Sequence, residues 1–389
     1  MRILGFTSSR ADYDLLSPLY KLLNDDDTIE FKLIVSGTHL SHEYGYSKNE
    51  IIKDNFDVLI EIENLLIYDN KKSKLKTASI LLNSIIDVVD MFKPDLLLYA
   101  GDREDVIMYG LLSVFLEVPS IHFYGGDHEM GGHEDTIIRH ATSKLSTFHF
   151  VSCEEHKQRL IKLGENVNRI YNIGALSLDK FFNYTHIKKQ ELYKKFNLIS
   201  NKDFALVIYH PSPNKEENEK GDLVLTNIIE NIKSKNLLVF VSAPNSDEGN
   251  KKLFKIIEMY NNDNDVIFFK NLKRDEFLSL FKECKFLIGN SSAGIYEAAT
   301  IKKGVINVGE RQKNRLCSEN VIFCDVEYNS ISKAIDIVLS KEFQYKLKNI
   351  KNIYGYGNSA YKAYKLIKSI NFKKMIIKSE DPLNKKEIL

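Results

Sequence analysis

The 389-residue sequence has no tryptophan, only seven prolines and four cysteines, and it lacks any long apolar run. A membrane-spanning helix needs about 18 consecutive apolar residues, so the sequence predicts no membrane segment and no membrane partner. The cysteines lie apart and form no Cys-x-x-Cys pair, which argues against a disulfide framework and a cysteine zinc site. The apolar N-terminal stretch is too short for a signal peptide. We therefore expect a soluble, cytoplasmic protein with reduced cysteines.

An excess of charge of either sign is also absent, because 54 basic and 53 acidic residues give a net charge of +1. No overall electrostatic field therefore favours nucleic acid or an anionic membrane as a partner. The sequence contains neither tandem repeats nor a low-complexity linker. It does contain 43% hydrophobic residues, enough for a large core and for two or more domains.

Short apolar runs alternate with segments of helical periodicity from end to end, a pattern typical of βα units around parallel sheets. The strands predicted in the first half are 3–6, 31–35, 95–100, 120–123 and 148–151. The clearest helical segments between them are 74–92 and 104–116. The strands predicted in the second half are 204–209, 237–241, 266–269, 286–288, 304–308 and 321–324.

The simplest architecture for this pattern is α/β, with two doubly wound Rossmann-like domains facing a cleft. Residues 176–201 lack strand character and are the predicted hinge. We predict that the first domain comprises residues 1–175 together with a returning C-terminal segment, 359–389, whose helix spans 359–372. The second domain then comprises residues 176–358. Beyond Lys373 the tail is polar, and we expect it to be frayed.

The segment with the densest chemistry is residues 124–135, which holds four glycines, four carboxylates and two histidines. It follows a predicted strand, and open α/β sheets place their chemistry at the carboxyl ends of strands. Acids that lie close together can raise the pKa of one of them, which is the condition for a general base beside a general acid. Asp127, Glu134 and Asp135 are the candidates. A polar loop with acids at a helix N-terminus is the alternative.

The two histidines of this segment do not form a known metal motif. His128 and His133 are five residues apart, and glycines between them oppose the helix that a metalloprotease site requires. We therefore expect no metal here, and a carboxylate-histidine metal site of another kind is the alternative.

Two further sites in the first half combine a strand end with an arginine. Arg10 lies in residues 7–14, directly after the first strand, where free backbone N–H groups and a guanidinium can hold an anion. Asp102 and Arg103 emerge together where the strand 95–100 ends. The alternatives are an exposed arginine in a capped turn and a salt-bridged helix cap.

In the second half, His210 ends a predicted strand, and histidine is the usual proton carrier near neutral pH. Ser291 and Ser292 begin a helix after another strand, where hydroxyls and the helix dipole can hold a diphosphate. Glu297 follows in the same segment, and its two oxygens can accept both hydroxyls of a ribose. A serine N-cap would explain the serines but not the glutamate.

Together these motifs resemble those of the hydrolysing UDP-N-acetylglucosamine 2-epimerases of sialic and legionaminic acid synthesis. The resemblance runs over about residues 1–370. The matching motifs are Ser9-Arg10-Ala11-Asp12-Tyr13, Gly37-Thr38-His39-Leu40-Ser41, Gly101-Asp102-Arg103, Ile138-Arg139-His140-Ala141, His210-Pro211, Pro244-Asn245-Ser246-Asp247, the segment 290–297 and Arg311-Gln312.

The resemblance implies a glycosyltransferase-B-like fold, a homodimer, and UDP bound mainly by the second domain. The implied substrate-binding residues of that domain are Asn245, Ser291, Ser292, Glu297 and Arg311. Those of the first domain are Arg10, Asp14, His39, Arg103 and Arg139. The serines and Arg311 would hold the phosphates, and Glu297 would hold the ribose.

The resemblance also implies the catalytic groups. Asp102, Asp127 and Asp135 fall on the family's catalytic carboxylates, and His210, a further catalytic candidate, falls on its interdomain histidine. The loop is one residue longer here than is usual, so Glu134 is an alternative to Asp135. Tyr124 stands where the family usually has a second histidine.

The implied reaction removes the C2 proton and releases UDP from C1, leaving a 2-acetamidoglucal. Water then adds to C1 and a proton returns to the opposite face of C2, which gives free N-acetylmannosamine for nonulosonic acid synthesis. The chemistry needs an acid, a base and a well-held diphosphate, but no cofactor. The alternatives are UDP-2,4-diacetamido-2,4,6-trideoxyglucose as the substrate, a GDP-linked sugar, a non-hydrolysing epimerase, and a glycosyltransferase of the same fold.

Overall fold

The computed structural model describes residues 1–67, 70–129, 134–212, 214–245, 247–270 and 272–382. These residues divide into two compact units. The first contains residues 1–128, 134–180 and 354–382, and the second contains Glu129 and residues 181–353. Among the described residues, no helix is both long and apolar enough to span a membrane.

The first unit is built on one parallel sheet. Its strands are β1 Arg2–Thr7, β2 Glu30–Ser36, β3 Val58–Ile62, β4 Leu96–Ala100, β5 Ser120–Phe123, β6 Phe148–Val151 and β7 Ile170–Asn172. They pair in the order β3-β2-β1-β4-β5-β6-β7. The helices that alternate with them are α1 Arg10–Asn24, α2 Lys48–Lys53, α3 Lys71–Phe92, α4 Glu104–Phe115, α5 Glu134–Leu145 and α6 Glu154–Lys162. Strands β4, β5 and β6 are buried along their whole length, as expected for parallel strands covered on both faces.

The second unit repeats this plan. Its strands are β8 Phe204–Ile208, β9 Leu238–Ser242, β10 Val266–Phe269, β11 Phe286–Gly289, β12 Gly304–Val308 and β13 Val321–Cys324. They pair in the order β10-β9-β8-β11-β12-β13. Its helices are α7 Lys189–Lys195, α8 Lys215–Glu219, α9 Gly221–Ser234, α10 Asn250–Met259, α11 Arg274–Glu283, α12 Ser292–Tyr296, α13 Tyr328–Leu339 and α14 Lys341–Lys348.

The strand order positions the candidate sites. In the first sheet the order reverses between β1 and β4, and in the second between β8 and β11. Ligands of doubly wound sheets bind outside the carboxyl ends of the strands at such a reversal. The turns that follow β1 and β4 carry Arg10 and Asp102, and those that follow β8 and β11 carry His210 and Ser291. Strand ends that are far apart in sequence therefore lie side by side within each unit.

The last helix, α15 Ser359–Ser369, belongs to the first unit. The Asp179 carboxylate accepts hydrogen bonds from the backbone N–H groups of Ser359 and Ala360, at 3.0 and 2.7 Å. These are N–H groups that a helix leaves without intrahelical partners, and a carboxylate there also suits the helix dipole. This contact fixes the start of α15.

Residues 374–380 of the tail are held in place, so for this part the prediction of a frayed tail was wrong, while residues 383–389 lie outside the described residues. Lys378 forms an ion pair with the buried Glu165. Arg169 donates a hydrogen bond to the carbonyl of Ile377 at 2.8 Å and another to Glu380 at 2.7 Å. The polar composition of the tail indicated solvent exposure, but its charges find buried partners more than 200 residues away.

Candidate functional site

The turn after β1 is fixed by one carboxylate. Asp12 accepts hydrogen bonds from the backbone N–H groups of Ser8 and Ser9, at 3.0 and 3.1 Å, and from the hydroxyls of Thr7 and Ser8. Ser9 caps α1 in return, which completes a capping box. The turn therefore has little freedom, and Arg10 leaves it in a defined direction.

His39 lies beneath this turn and is fully buried. Its Nε2 is 2.8 Å from the Thr7 hydroxyl, and its Nδ1 is 2.7 Å from the Ser47 hydroxyl. Since Thr7 donates its own proton to Asp12, Nε2 must donate to Thr7 and Nδ1 must accept from Ser47. Burial lowers the pKa of His39, in keeping with a neutral ring. These contacts make His39 a support of the turn.

Arg10 has two carboxylates near its guanidinium. Asp14 lies 3.9 Å from Nε, and Glu50 lies 3.4 Å from one terminal nitrogen. The Arg10 side chain is 22% exposed, which leaves it accessible from solvent. Asp14 is therefore placed to orient Arg10.

Two carboxylates of the first unit share one guanidinium. Arg139, on α5, forms ion pairs with Asp102 and with Asp127, the latter at 3.4 Å. The side chains of Arg139 and Asp127 are 3% and 2% exposed, whereas that of Asp102 is 23% exposed. One guanidinium between two carboxylates leaves a net charge of −1, so the cluster can accept one proton without becoming positive. This is the charge balance that an acid-base site requires.

The loop that carries Asp127 depends on two unusual backbone positions. Gly126 has a φ of +78°, and a Cβ atom there would lie 2.2 Å from the backbone oxygen of His156. Arg159 donates a hydrogen bond to the Gly126 carbonyl at 2.5 Å. Tyr124 has a φ of +63°, and its hydroxyl accepts a hydrogen bond from the Ser177 N–H at 3.0 Å. Tyr124 thus anchors the loop, and only glycine fits at position 126.

The predicted acids Glu134 and Asp135 lie at the start of α5. Glu134 lies 3.2 Å from Lys74 and 3.6 Å from Lys71. Burial acts to raise the pKa of Glu134, but these two lysines outweigh it and the net shift is downward. Asp135 is the next residue of the helix. Residues 130–133, including His133, lie outside the described residues.

A buried acid that the sequence analysis did not single out, Asp105, lies near the turn that follows β1. Asp105, on the first turn of α4, is 7% exposed, and the hydroxyl of Tyr109 lies 3.5 Å from it. Burial, and then the charges of Glu104 and Asp12, raise its pKa to about 6. The sequence feature that could have identified Asp105 is its position three residues after Asp102.

This pKa predicts an unusual dependence of stability on pH. Because the unfolded pKa is about 4, the folded state prefers the neutral acid, and stability falls as pH rises from about 4 to 6. Above pH 6 Asp105 is ionised in the folded state, and the loss of stability stays constant. Asp105→Asn should therefore stabilise the protein at pH 8, by about 1 to 3 kcal/mol, and have little effect near pH 4.

Melting temperatures of the wild type and of Asp105→Asn at several pH values between 4 and 8 test this prediction. Asp90→Asn is the control, because Asp90 is an exposed carboxylate of α3 and is not among the charges that raise the pKa of Asp105. A stability difference that is the same at all pH values would contradict the role assigned to the Asp105 charge.

In the second unit, Asn290 joins the ends of β8 and β11. Its side-chain oxygen accepts from the His210 N–H, and its amide donates to the His210 carbonyl, both at 2.8 Å. Asn290 is fully buried. Gly289 before it has a φ of +140°, and a Cβ atom there would lie 2.1 Å from the Ile208 carbonyl oxygen. The two strand ends are therefore locked together, and the backbone of His210 is fixed.

The ring of His210 is also oriented by a hydrogen bond. Its Nδ1 lies 3.1 Å from the backbone N–H of Asn245. A backbone N–H can only donate, so Nδ1 is the acceptor and the neutral ring carries its proton on Nε2. His210 can thus donate a hydrogen bond from Nε2 to an oxygen of a ligand.

Arg311 extends this network. It donates to the Asn290 carbonyl at 3.2 Å and lies 3.7 Å from the Asp247 carboxylate. Asp247 in turn accepts from the Asn245 side chain at 2.5 Å. The network connects three predicted binding residues, His210, Asn245 and Arg311, through Asn290 and Asp247, which the site prediction omitted.

The remaining predicted residues of this unit lie around the short helix α12. Ser291 is its N-cap, and the Ser291 hydroxyl accepts from the Ala293 N–H at 3.3 Å. Ser292, the first helical residue, is exposed, whereas Glu297 at the C-cap is 6% exposed. Among the described residues, no group of three or more His, Cys, Asp or Glu side chains is arranged to hold a metal ion.

The same arrangement of strands and helices occurs in solved epimerase structures. The UDP-GlcNAc 2-epimerase from Neisseria meningitidis, solved with UDP-GlcNAc, superimposes with a TM-score of 0.81 at 19% identity, covering 95% of this chain and all of that one. The enzyme from Methanocaldococcus jannaschii gives 0.80 at 20% identity, with 95% and 99% covered. This likeness confirms the predicted fold class.

Sequence comparison identifies the family as well as the fold. A UDP-N,N'-diacetylbacillosamine 2-epimerase (hydrolyzing) of Legionella pneumophila is 34% identical over 376 residues, which cover 97% of this chain and 98% of that protein. A GDP/UDP-N,N'-diacetylbacillosamine 2-epimerase (hydrolyzing) of Campylobacter jejuni is 34% identical over 341 residues, 87% of each chain. The pattern that defines the family described as UDP-N-acetylglucosamine 2-epimerase matches residues 21–368. The chain therefore belongs to the UDP-N-acetylglucosamine 2-epimerase family and groups with its hydrolysing members.

Proposed function

We propose that this protein is a hydrolysing 2-epimerase that converts a UDP-linked 2-acetamido sugar into UDP and the free manno-configured sugar. The observation that carries this proposal is the pair Asp102 and Asp127 on the shared guanidinium of Arg139. A cluster with one negative charge can take the proton from C2. The reaction requires this capacity, and a simple binding protein does not.

The preferred sugar that we propose is 2,4-diacetamido-2,4,6-trideoxyglucose, which is N,N'-diacetylbacillosamine. The relatives from Legionella pneumophila and Campylobacter jejuni, each 34% identical, carry this sugar in their names. A relative from Neisseria meningitidis named UDP-N-acetylglucosamine 2-epimerase is 29% identical over 340 residues. UDP-N-acetylglucosamine, which the sequence resemblance favoured, is therefore the second candidate.

In the proposed first step the carboxylate pair removes the C2 proton while the C1–O bond to UDP breaks and a C1=C2 double bond forms. In the second step water adds to C1 and a proton is delivered to the opposite face of C2. We assign this second proton transfer to Asp135, which falls on the family's second catalytic acid, with Glu134 as the alternative.

We assign nucleotide binding to the second unit. Ser291, Ser292 and Arg311 would hold the phosphates, and Glu297 the ribose. His210 would donate its Nε2 proton to an oxygen of the departing diphosphate, because its Nδ1 is already occupied by the Asn245 N–H. Stabilising charge on a leaving group in this way is a large term in catalysis.

The first unit would contribute two arginines to phosphate binding, from the turns that follow β1 and β4. Arg10 and Arg103 both follow strands that flank the order reversal of the first sheet. Their guanidinium groups suit the planar, two-point recognition of a phosphate. His39 would act through Thr7 and Asp12 to hold the turn that carries Arg10.

Proton NMR in D₂O tests the proposal, with UDP-N-acetylglucosamine and its 2,4-diacetamido-trideoxy analogue assayed in parallel and a GDP-linked analogue as a further comparison. We expect free UDP, a free manno-configured sugar deuterated at C2, and a kcat/KM at least about tenfold higher for the diacetamido sugar. A UDP-linked product would show a non-hydrolysing epimerase. Unchanged sugar nucleotides, consumed only when an acceptor is added, would show a glycosyltransferase.

A further inference from the structure

Helix α6 carries a histidine that reaches the proposed catalytic loop. His156 is fully buried, and its Nε2 lies 3.3 Å from Oδ1 of Asp127. The sequence analysis did not single it out, because it lies in a polar helix outside the loop and the strand ends. The reaction proposed above does not use it either.

The position of the His156 ring is closely determined. Its ring packs against Tyr354, with centroids 5.7 Å apart, and Tyr354 is fully buried. The backbone of His156 is in contact with Gly126, where no side chain would fit. Arg159, one turn further along α6, holds the Gly126 carbonyl. The helix thus supports the loop at three neighbouring points, and the ring has little room to rotate.

The carboxylate of Asp127 is held on both sides. Its Oδ2 lies 3.4 Å from Arg139, while Oδ1 faces His156 and also accepts from the His128 N–H at 2.8 Å. The charged or titratable groups around this contact are Asp102, His128 of the loop, Arg139 and His140 from α5, and Cys153 and Arg159 from α6. A carboxylate with a different partner on each oxygen cannot rotate without losing one of them.

We propose that His156 is a positioning residue that fixes the orientation of the Asp127 carboxylate and favours its ionised form. This inference rests on the proposed function, since it gives His156 a role through the acid-base group of that reaction. With its proton on Nε2, the ring places positive charge 3.3 Å from Oδ1, short of hydrogen-bond alignment, and this favours the carboxylate over the carboxylic acid. It also keeps Oδ2 facing Arg139. His156 itself does not contact the sugar.

The variants His156→Phe and His156→Gln separate this role from packing. Phenylalanine keeps an aromatic ring against Tyr354 but has no N–H, whereas glutamine keeps a donor and loses the ring. We expect His156→Phe to lower kcat by about 10- to 100-fold with KM within about threefold of the wild type. Without the donor the Asp127 carboxyl should protonate more readily, so the acidic limb of the kcat profile should move to higher pH. His156→Gln should restore part of kcat and bring the limb back.

His149→Gln is the matched control, because His149 is another fully buried histidine of the first unit but contacts Glu165 instead of Asp127. It should not move the acidic limb. If the wild type releases UDP from neither sugar nucleotide, the proposed function itself fails. If the wild type is active and the acidic limb does not move in His156→Phe, the positioning role is overturned. If His156→Phe does not fold, His156→Leu takes its place because it also lacks an N–H, and an unchanged acidic limb in that variant overturns the role equally.

Discussion

Replacing Asp102 or Asp127 by asparagine should lower kcat by at least about 1000-fold while leaving the affinity for UDP within about tenfold. Asparagine has nearly the same shape as aspartate but cannot take the C2 proton. It also removes one of the two negative charges that Arg139 balances, so the cluster loses its capacity to accept a proton. We assign UDP binding to other residues, so its affinity reports on folding and not on the chemistry.

Steady-state turnover of the sugar nucleotide and calorimetric binding of UDP measure the two effects separately. Asp90→Asn is the control, because Asp90 is an exposed carboxylate on α3. It should retain full activity. A variant of Asp102 or Asp127 with wild-type turnover would remove that residue from the mechanism, and a parallel loss of UDP binding would indicate a structural role.

Arg139→Met should have the largest effect on stability. It leaves Asp102 and Asp127 without the guanidinium that they share, and the side chain of Asp127 is only 2% exposed. Removing one partner of a buried ion pair typically costs about 3 to 5 kcal/mol, because the remaining charge stays buried without compensation. Denaturant unfolding at pH 7 measures the loss.

The charge argument behind this prediction has its own test. In the double variant Arg139→Met with Asp127→Asn the buried negative charge is gone, so it should be more stable than Arg139→Met alone. Arg2→Met is the matched control, since the Arg2–Glu30 pair is half exposed and should contribute less than about 1 kcal/mol. Simple additivity of the two substitutions would show that packing, and not charge, explains the loss.

The core of both sheets could be predicted from the sequence. All eleven predicted strands are present, with bounds that differ by at most one residue. They were recognisable because strands covered on both faces are continuous apolar runs bounded by polar turns. The two strands that the prediction missed, β3 and β7, lie at the edges of the first sheet. Edge strands are shorter or only half buried, so their sequences lack this signal.

Contacts between distant residues could not be predicted in the same way. Asn290 and His210 are 80 residues apart, and their paired hydrogen bonds exist because β8 and β11 are neighbours in the second sheet. The prediction about the tail failed for the same reason, because Lys378 and Glu165 are far apart in sequence and come into contact only in the folded chain. Sequence patterns indicate which residues are buried on average, but they do not indicate which buried charges meet.

The sequence by itself therefore determined the alternating βα pattern, the positions of the strand ends and the motifs that indicate the family. Those motifs placed Asp102, Asp127 and Arg139 among the candidates as separate residues. Only the tertiary structure decided that the two carboxylates share one arginine and that His156 faces Asp127. The physical reason is that local periodicity follows from neighbouring residues, whereas the balance of buried charge depends on which strands and helices pack side by side.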